Sequence, residues 1–195
     1  MHLGSLSLNK TNFAGLFVSD CKPFSDCRGE FFRCFCGDEL AVAIGNRTIK
    51  QINHSRTLTV GAVRGLHFQF PPYAEMKLVR CLQGCVADVA VDLRRGSSTF
   101  LEWHLEELSA KNGRMMIIPE GFAHGFQVLE PNSKLLYLHT ASYTPSSESA
   151  IRFDDPSLSI IWPLPITEVS DRDNNHALLS ESFLGIDFAT TENIV

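Results

Sequence analysis

The sequence predicts an all-β protein, a sandwich or barrel built from many short strands. Three observations support this: turn-forming residues recur at short intervals, the runs between them are rich in Val, Ile, Leu and Phe, and evidence for helices is thin. The turn signals are Pro23, Gly29, Gly37, Gly45-Asn46, Pro71-Pro72, Gly84, Gly96, Asn112-Gly113, Pro131-Asn132 and Pro145.

The clearest strand is the segment 85–93, in which two sets of side chains alternate. One face carries Ala87, Val89, Val91 and Leu93, and the other carries Val86, Asp88, Ala90 and Asp92. Because successive residues of a strand point to opposite faces, this pattern predicts one face on the core and one face that tolerates carboxylates.

Helices are expected only as short pieces, at residues 38–42 and 180–183. The tail after Asp173 is expected to pack irregularly over the barrel. A length of 195 residues fits one domain, so residues 1–195 are expected to form a single unit.

The composition is that of an ordinary globular protein, with 44% hydrophobic and 20% charged residues and 14 Phe to fill a core. A net charge of −5 and a pI of about 5.8 argue against a general nucleic-acid surface, although a local arginine cluster would suit a small phosphorylated ligand. No apolar run is long enough to span a membrane, and the first residues lack a signal-peptide pattern, so a cytoplasmic location is expected.

The six cysteines are Cys21, Cys27, Cys34, Cys36, Cys81 and Cys85. None forms a Cys-x-x-Cys motif, and their spacings do not match those of a zinc site. We therefore expect reduced thiols that serve as small core residues.

Two segments, residues 64–69 and 119–126, place a histidine on a stretch typical of β structure, which indicates a barrel with an imidazole in its mouth. Arg64 and His67 are three residues apart, so a regular strand sends them to opposite faces. If both serve one pocket, the backbone must bulge at Gly65; otherwise Arg64 stays outside in a salt bridge.

The pattern at residues 119–124 resembles the second conserved motif of the cupin superfamily of jelly-roll barrels. In metal-binding cupins an earlier motif supplies His-x-His and a Glu, but here Gln69 follows His67 in that motif and Lys77 stands where the Glu is sought. A lysine ammonium disfavours a nearby divalent cation and cannot ligate it while protonated. We therefore expect no catalytic metal and a pocket that performs organic acid–base chemistry, with a metal-dependent cupin enzyme as an alternative.

The chain as a whole resembles the dTDP-4-dehydrorhamnose 3,5-epimerase family from roughly residue 7 to residue 175. The matching segments are residues 26–29, 51–55, 63–69, 77–80, 88–94, 118–126, 136–137, 151–156 and 161–164, and residues 170–173, which are similar to the family's Ser-Glu-Lys-Asp. The resemblance implies a homodimeric, cofactor-independent epimerase that acts on a dTDP-4-keto-6-deoxy sugar at carbons 3 and 5.

Epimerisation beside a carbonyl needs a base on one face, stabilisation of the enolate, and an acid on the other face. The resemblance makes His67 the base, Asp173 the carboxylate that orients its imidazole, Lys77 the positive charge near the oxyanion, and Tyr137 the acid. Taken alone, a strand histidine is more often a structural hydrogen-bonder and a strand tyrosine is usually part of the core or rim.

The resemblance also implies a nucleotide subsite. Phe24 and Arg28, often supplied by the partner subunit, would contact the nucleotide. Gln51 and Asn53 would meet its base, and Arg64 would lie near the diphosphate. Arginine suits this position because its planar fork matches phosphate oxygens.

His124 and Arg172 are further binding candidates. His124 is expected in the pocket, with a core histidine bonded to a backbone carbonyl as the alternative. Arg172 is a weaker phosphate candidate, because surface charge explains it equally well, as it could explain Arg28.

Three positions depart from the family pattern: Arg33 replaces a Glu, Leu138 replaces the usual Lys, and residues 142–143 reduce an aromatic pair to Ser-Tyr. These changes leave the base intact but leave the sugar and nucleotide open. The alternatives are an epimerase of carbon 3 or carbon 5 alone, acting on another nucleoside-diphosphate 4-keto sugar, and a cupin that only binds a sugar nucleotide.

Overall fold

The structure is a computed structural model, and it describes residues 5–188. This part of the chain contains thirteen strands and two short helices. In chain order they are β1 (Leu6–Lys10), β2 (Phe17–Cys21), β3 (Phe24–Asp26), β4 (Gly29–Phe31), α1 (Ala41–Ile44), β5 (Gln51–Thr57), β6 (Val63–Gln69), β7 (Lys77–Gln83), β8 (Cys85–Asp92), β9 (Trp103–Ser109), β10 (Met115–Ile118), β11 (Phe122–Val128), β12 (Ser133–His139), β13 (Glu148–Ala150) and α2 (Asp171–Asn174).

Eleven of these strands form two antiparallel sheets that face each other as a cupin-type jelly-roll barrel, so the all-β prediction is confirmed. The six-stranded sheet has the order β1-β2-β10-β7-β12-β5, and the five-stranded sheet has the order β13-β6-β11-β8-β9. The remaining two strands, β3 and β4, form a separate hairpin.

Side chains from both sheets fill the space between them. Val79 of β7 and Leu135 of β12 belong to the same buried cluster as Val86, Ala90 and Phe126 of the opposing sheet. Apolar burial of this kind is the main favourable contribution to folding and holds the two sheets at a fixed separation.

The alternation predicted for residues 85–93 is present, but both faces of β8 are buried. Val86 and Ala90 lie in the cluster between the sheets, whereas Val89 and Leu93 belong to a cluster on the outer face. The face that carries the carboxylates is therefore the barrel interior, where Asp88 is fully buried. Expecting only one core face was wrong, because residues 151–162 and the C-terminal tail cover the other face.

That tail packs over the outer face of the five-stranded sheet, as expected. Leu179, Phe183, Ile186 and Phe188 contribute to its apolar cluster. Residues 180–183 form a turn and not the predicted helix, with a single hydrogen bond from the Phe183 N–H to the Ser180 carbonyl.

The two helices that are present are each one turn long. Helix α1 overlaps the segment 38–42 but begins at Ala41, because residues 38–40 form turns. Helix α2 was not expected. Ser170 caps it by accepting a hydrogen bond from the Asp173 N–H at 3.1 Å, which fixes Asp173 in the first turn.

All six cysteines are free thiols, and they differ in burial. Cys81 and Cys85 are buried and fit the expected core role, whereas Cys27 is exposed on the β3–β4 hairpin and does not. Burial is the main cause that raises the pKa of Cys81 to about 11 and that of Cys85 to about 12, so both stay protonated at neutral pH.

Neither described helix has the length and apolar character needed to cross a membrane.

Candidate active site

A cavity of about 640 Å³ lies between the two sheets and contains most of the predicted site. Its lining includes eight of the eleven predicted residues: Gln51, Asn53, Arg64, His67, Lys77, His124, Tyr137 and Arg172. The lining comes from both sheets, so chemical groups can approach a ligand from opposite sides.

His67 projects from β6 into this cavity and is backed by a carboxylate. Its Nε2 lies 2.8 Å from Asp173 Oδ1, while Oδ2 of the same carboxylate accepts the Gly65 N–H at 3.2 Å. Burial raises the pKa of Asp173, but the His67 hydrogen bond and charge, the Gly65 N–H and Ser170 outweigh it and hold that pKa below its usual value. A carboxylate only accepts, so Nε2 carries a proton and Nδ1 keeps the lone pair that a base needs.

Strand β6 has a bulge between Arg64 and His67, which is where the backbone must bulge if both side chains are to face one pocket. His67 pairs with His124 and Arg64 pairs with Phe126, so three steps along β6 match two along β11. Gly65, with a φ of +126°, sits in this bulge, and a Cβ there would lie 2.5 Å from the Gly125 Cα. Only glycine fits, and the bulge turns Arg64 and His67 to the same cavity, as predicted.

Lys77 is buried beside His67. Its Nζ donates to the His67 carbonyl at 3.1 Å and lies 3.3 Å from Glu75 Oε1. Burial raises the pKa of Glu75, but the hydrogen bond from His139 and the charge of Lys77 outweigh burial. The pKa is therefore held below its usual value, and the carboxylate stays ionised. The ammonium therefore has a fixed position at the cavity wall.

Tyr137 stands on β12 of the opposite sheet. Its hydroxyl lies 3.1 Å from the Ser55 Oγ, and its ring stacks on His139 with centroids 6.1 Å apart. Burial raises the pKa of Tyr137 above its usual value, which keeps the phenol protonated and able to donate.

His124 lines the cavity and is also part of a buried pair. Its Nε2 lies 2.8 Å from Asp88 Oδ1, so its partner is a carboxylate and not the backbone carbonyl of the alternative interpretation. Burial raises the pKa of Asp88, and its hydrogen bond and charge interaction with His124 offset this only in part.

The polar end of the cavity contains Gln51, Asn53 and Arg172. Gln51 Nε2 donates to Asn53 Oδ1 at 3.2 Å, on the exposed strand β5. Arg172 forms an ion pair with Glu148 at 2.5 Å, and the same carboxylate accepts the Tyr143 hydroxyl at 2.6 Å. Arg172 therefore has a protein partner within the cavity.

Phe24 and Arg28 lie on the β3–β4 hairpin, outside the lining of this cavity. Phe24 is 44% exposed, and the Arg28 side chain is 84% exposed and paired with Asp26 at 2.6 Å. Arg33, close behind this hairpin, forms an ion pair with Glu39, whose Oε2 also accepts the Leu6 N–H at 2.9 Å. Within one chain the hairpin residues do not reach the site.

Comparison with known proteins gives a consistent result. The model of the family described as dTDP-4-dehydrorhamnose 3,5-epimerase matches residues 10–181. The chain belongs to the dTDP-4-dehydrorhamnose 3,5-epimerase family. It is therefore an isomerase of the epimerase type.

Relatives within this epimerase family cover most of the chain. The dTDP-4-dehydrorhamnose 3,5-epimerase of Pseudomonas aeruginosa is 47% identical over 77% of this chain and 84% of its own length. The dTDP-6-deoxy-D-glucose-3,5-epimerase of Legionella pneumophila, solved with dTDP-4-keto-L-rhamnose, is 37% identical, with a TM-score of 0.87 over 94% of this chain and 98% of its own.

A third relative has a narrower described activity. ChmJ of Streptomyces bikiniensis, a 3'-monoepimerase solved with dTDP-quinovose, is 30% identical, with a TM-score of 0.81 over 87% of this chain and 86% of its own. The fold is thus shared by proteins described as double epimerases and as a single-site epimerase.

Several polar residues of this epimerase's cavity were missed from the sequence: Ser55, Glu75, His139 and Glu148. The role of Asp88 as the buried partner of His124 was missed as well. One signal was available for His139, which lies two residues after Tyr137 and so shares its strand face. No comparable signal pairs Asp88 with His124, because that contact depends on the register between β8 and β11.

Among residues 5–188, no group of three or more His, Cys, Asp or Glu side chains is arranged to hold a metal ion. The absence of a cofactor stays a prediction from the sequence.

Proposed function

We propose that this protein epimerises a dTDP-4-keto-6-deoxy sugar at carbons 3 and 5 without a cofactor. One observation carries the proposal: His67, which is backed by Asp173, and Tyr137 lie on opposite sheets and line a single cavity. The names of the relatives support the choice of substrate, since they describe dTDP sugars of this type.

In the proposed reaction, Nδ1 of His67 takes the proton from carbon 3 or carbon 5. The C–H electron pair forms a C=C bond with carbon 4, and the carbonyl electrons move to its oxygen to form the enolate. The Lys77 ammonium stabilises that oxyanion, and the imidazolium formed on His67 is stabilised by Asp173. Tyr137 then donates its proton to the opposite face of the carbon, and both side chains exchange protons with water to reset.

The nucleotide would occupy the polar end of the cavity. Gln51 and Asn53 offer amide groups to a base, and Arg64, exposed at the cavity, offers a guanidinium to the diphosphate. Arg172 is a lesser candidate, because its ion pair with Glu148 would have to open or be shared. His124 is proposed as a cavity residue that contacts the sugar.

We further propose that the protein is a homodimer. Phe24 and Arg28 lie on an exposed hairpin away from the cavity of their own chain, which supports a contribution to the partner's nucleotide subsite.

A single-site epimerase is a second candidate, and the similarity to the 3'-monoepimerase favours keeping it. Both reactions begin with removal of a proton beside the carbonyl, so the same base serves either.

The test is an NMR assay in D2O with dTDP-4-keto-6-deoxyglucose, following deuterium at each ring carbon. Deuterium at carbons 3 and 5 supports the double reaction, and deuterium at one carbon identifies the single-site enzyme. If this substrate binds and neither carbon exchanges, the proposed epimerisation of this sugar is wrong.

The acid role of Tyr137 has its own test in the Tyr137→Phe variant. The variant keeps the base, so we expect deuterium incorporation to continue while inversion at the carbon is lost. Full inversion by Tyr137→Phe would assign the acid to another group.

A further inference from the structure

The cavity contains a chain of hydrogen bonds that connects its nucleotide end to its reacting end. The Tyr143 N–H donates to Gln51 Oε1 at 3.0 Å, and Gln51 Nε2 donates to Asn53 Oδ1 at 3.2 Å. Asn53 Nδ2 lies 3.4 Å from His139 Nε2, and His139 Nδ1 lies 2.9 Å from Glu75 Oε2. The other oxygen of Glu75 lies 3.3 Å from Lys77 Nζ.

Both ends of this chain fix the direction in which hydrogen bonds run. A backbone N–H, here that of Tyr143, only donates, and an ionised carboxylate, here that of Glu75, only accepts. His139 must therefore be neutral with its proton on Nδ1, so that Nε2 accepts from Asn53. A proton on Nε2 would face the Asn53 amide donor. Relieving that clash would require flipping the amides of both Asn53 and Gln51, and the flipped Gln51 amide could no longer accept the hydrogen bond from the Tyr143 N–H.

Burial and strand register hold the centre of the chain in place. The Glu75 and His139 side chains are 8% and 10% exposed, and the His139 ring stacks on Tyr137. His139 pairs with Gln51 on one side and with Lys77 on the other, so it joins β5 to β7 across β12. Its ring is therefore tightly positioned.

We propose that Glu75 and His139 are positioning residues of this site. His139, held as its Nδ1–H tautomer by Glu75, orients the Asn53 and Gln51 amides for the nucleotide base. Glu75 also anchors Lys77 at the reacting end. The inference rests on the proposed function for the identity of the ligand and assigns distinct effects to the two residues.

The test compares His139→Phe and Glu75→Gln with the wild type. Phenylalanine keeps the ring that stacks on Tyr137 but removes both hydrogen bonds, so the Kd for dTDP and the KM for the sugar nucleotide should each rise about fivefold, the effect of one lost hydrogen bond, with kcat nearly unchanged. Glutamine keeps the size of Glu75 but removes its charge from Lys77, so kcat should fall by roughly tenfold or more.

A second His–Glu pair supplies matched controls. His104 Nε2 lies 3.4 Å from Glu106 Oε2 on β9, outside the active-site cavity. The variants His104→Phe and Glu106→Gln remove the same groups there and should leave Kd, KM and kcat unchanged.

The tautomer gives a readout that needs no ligand. In 15N NMR of the free protein, the ring signals lost in His139→Phe should be those of a neutral Nδ1–H imidazole, which is distinct from both the Nε2–H form and the imidazolium. An Nε2–H or charged ring at His139, or a dTDP Kd unchanged by His139→Phe, would overturn the inference. If the wild type binds dTDP but does not turn over the sugar while these two results hold, the proposed reaction fails and the positioning role stands.

Discussion

Two histidines on neighbouring strands of one sheet each pair with an aspartate, and the two pairs differ in burial and in the pKa of the carboxylate. His67 and His124 face each other in the β6–β11 register, and each has its Nε2 2.8 Å from a carboxylate oxygen. The His67 side chain is 29% exposed and that of His124 only 6%. Both pairs consist of the same chemical groups, so exposure to the cavity is what distinguishes His67, the candidate base, from His124, which is buried in the cavity wall.

The pKa values of the two carboxylates are shifted in opposite directions. The pKa of Asp173 is held below its usual value because hydrogen bonds to His67, Gly65 and Ser170 outweigh the effect of burial. The pKa of Asp88 is raised because burial dominates, and its Oδ2 has no hydrogen-bond partner among residues 5–188. A histidine backed by a reliably ionised carboxylate is the better base.

The largest effect should come from His67→Asn. Without the imidazole no group in this position accepts the carbon-bound proton, so deuterium incorporation should fall by roughly three orders of magnitude. Thermal unfolding and the Kd for dTDP should stay near wild type. Exchange at the wild-type rate in this variant would remove His67 from the mechanism, and His104→Asn serves as the control.

Asp173→Asn should come next, with a fall in kcat of roughly two orders of magnitude. The amide cannot stabilise the imidazolium as a charge, and one of its two atoms becomes a donor facing either His67 or the Gly65 N–H. Single-turnover kinetics at saturating substrate would measure this loss. A kcat within threefold of the wild type would mean that His67 needs no carboxylate partner.

His124→Asn should lower kcat much less and act mainly on stability. It breaks the bond to Asp88, and we expect the free energy of unfolding to fall by about 2 kcal/mol. Protonation of Asp88 limits the loss, since its pKa is already raised. Urea unfolding would measure the change, and a loss of activity equal to that of His67→Asn would make the two histidines functional equals.

The smallest and most diagnostic effect is the pH dependence of stability in Asp173→Asn and Asp88→Asn. Asp173 has a lowered folded pKa, so its stabilisation is present above the unfolded value of about 3.9 and is lost as the pH falls through the folded value. Asp88 has a raised folded pKa, so its contribution is full below about pH 3.9 and is lost as the pH rises through the folded value.

The difference in unfolding free energy between wild type and variant should therefore change with pH in opposite directions for the two aspartates. Denaturant unfolding at a series of pH values would measure both. Parallel slopes would show that the two carboxylates have similar environments after all.

Part of this comparison was predictable from the sequence. The spacing of Arg64 and His67 required a bulge at Gly65 if both were to reach one pocket, and the bulge is there. The alternation of β8 was also readable, but its second buried face was not, because burial there depends on a tail nearly a hundred residues away in the chain.

Local sequence patterns do not pair either histidine with its carboxylate; the family resemblance named Asp173 for His67, and no sequence signal named Asp88 for His124. His124 and Asp88 are 36 residues apart and meet through strand register, and His67 and Asp173 are 106 residues apart. The sequence alone determined the strand periodicity, the glycine that permits the bulge, and the residues available for acid–base chemistry. The family resemblance added Asp173 as the partner of His67. Only the tertiary structure decided that Asp88 backs His124 and that the His67 pair is the more exposed to the cavity, because both depend on the long-range packing that excludes water from one pair and admits it to the other.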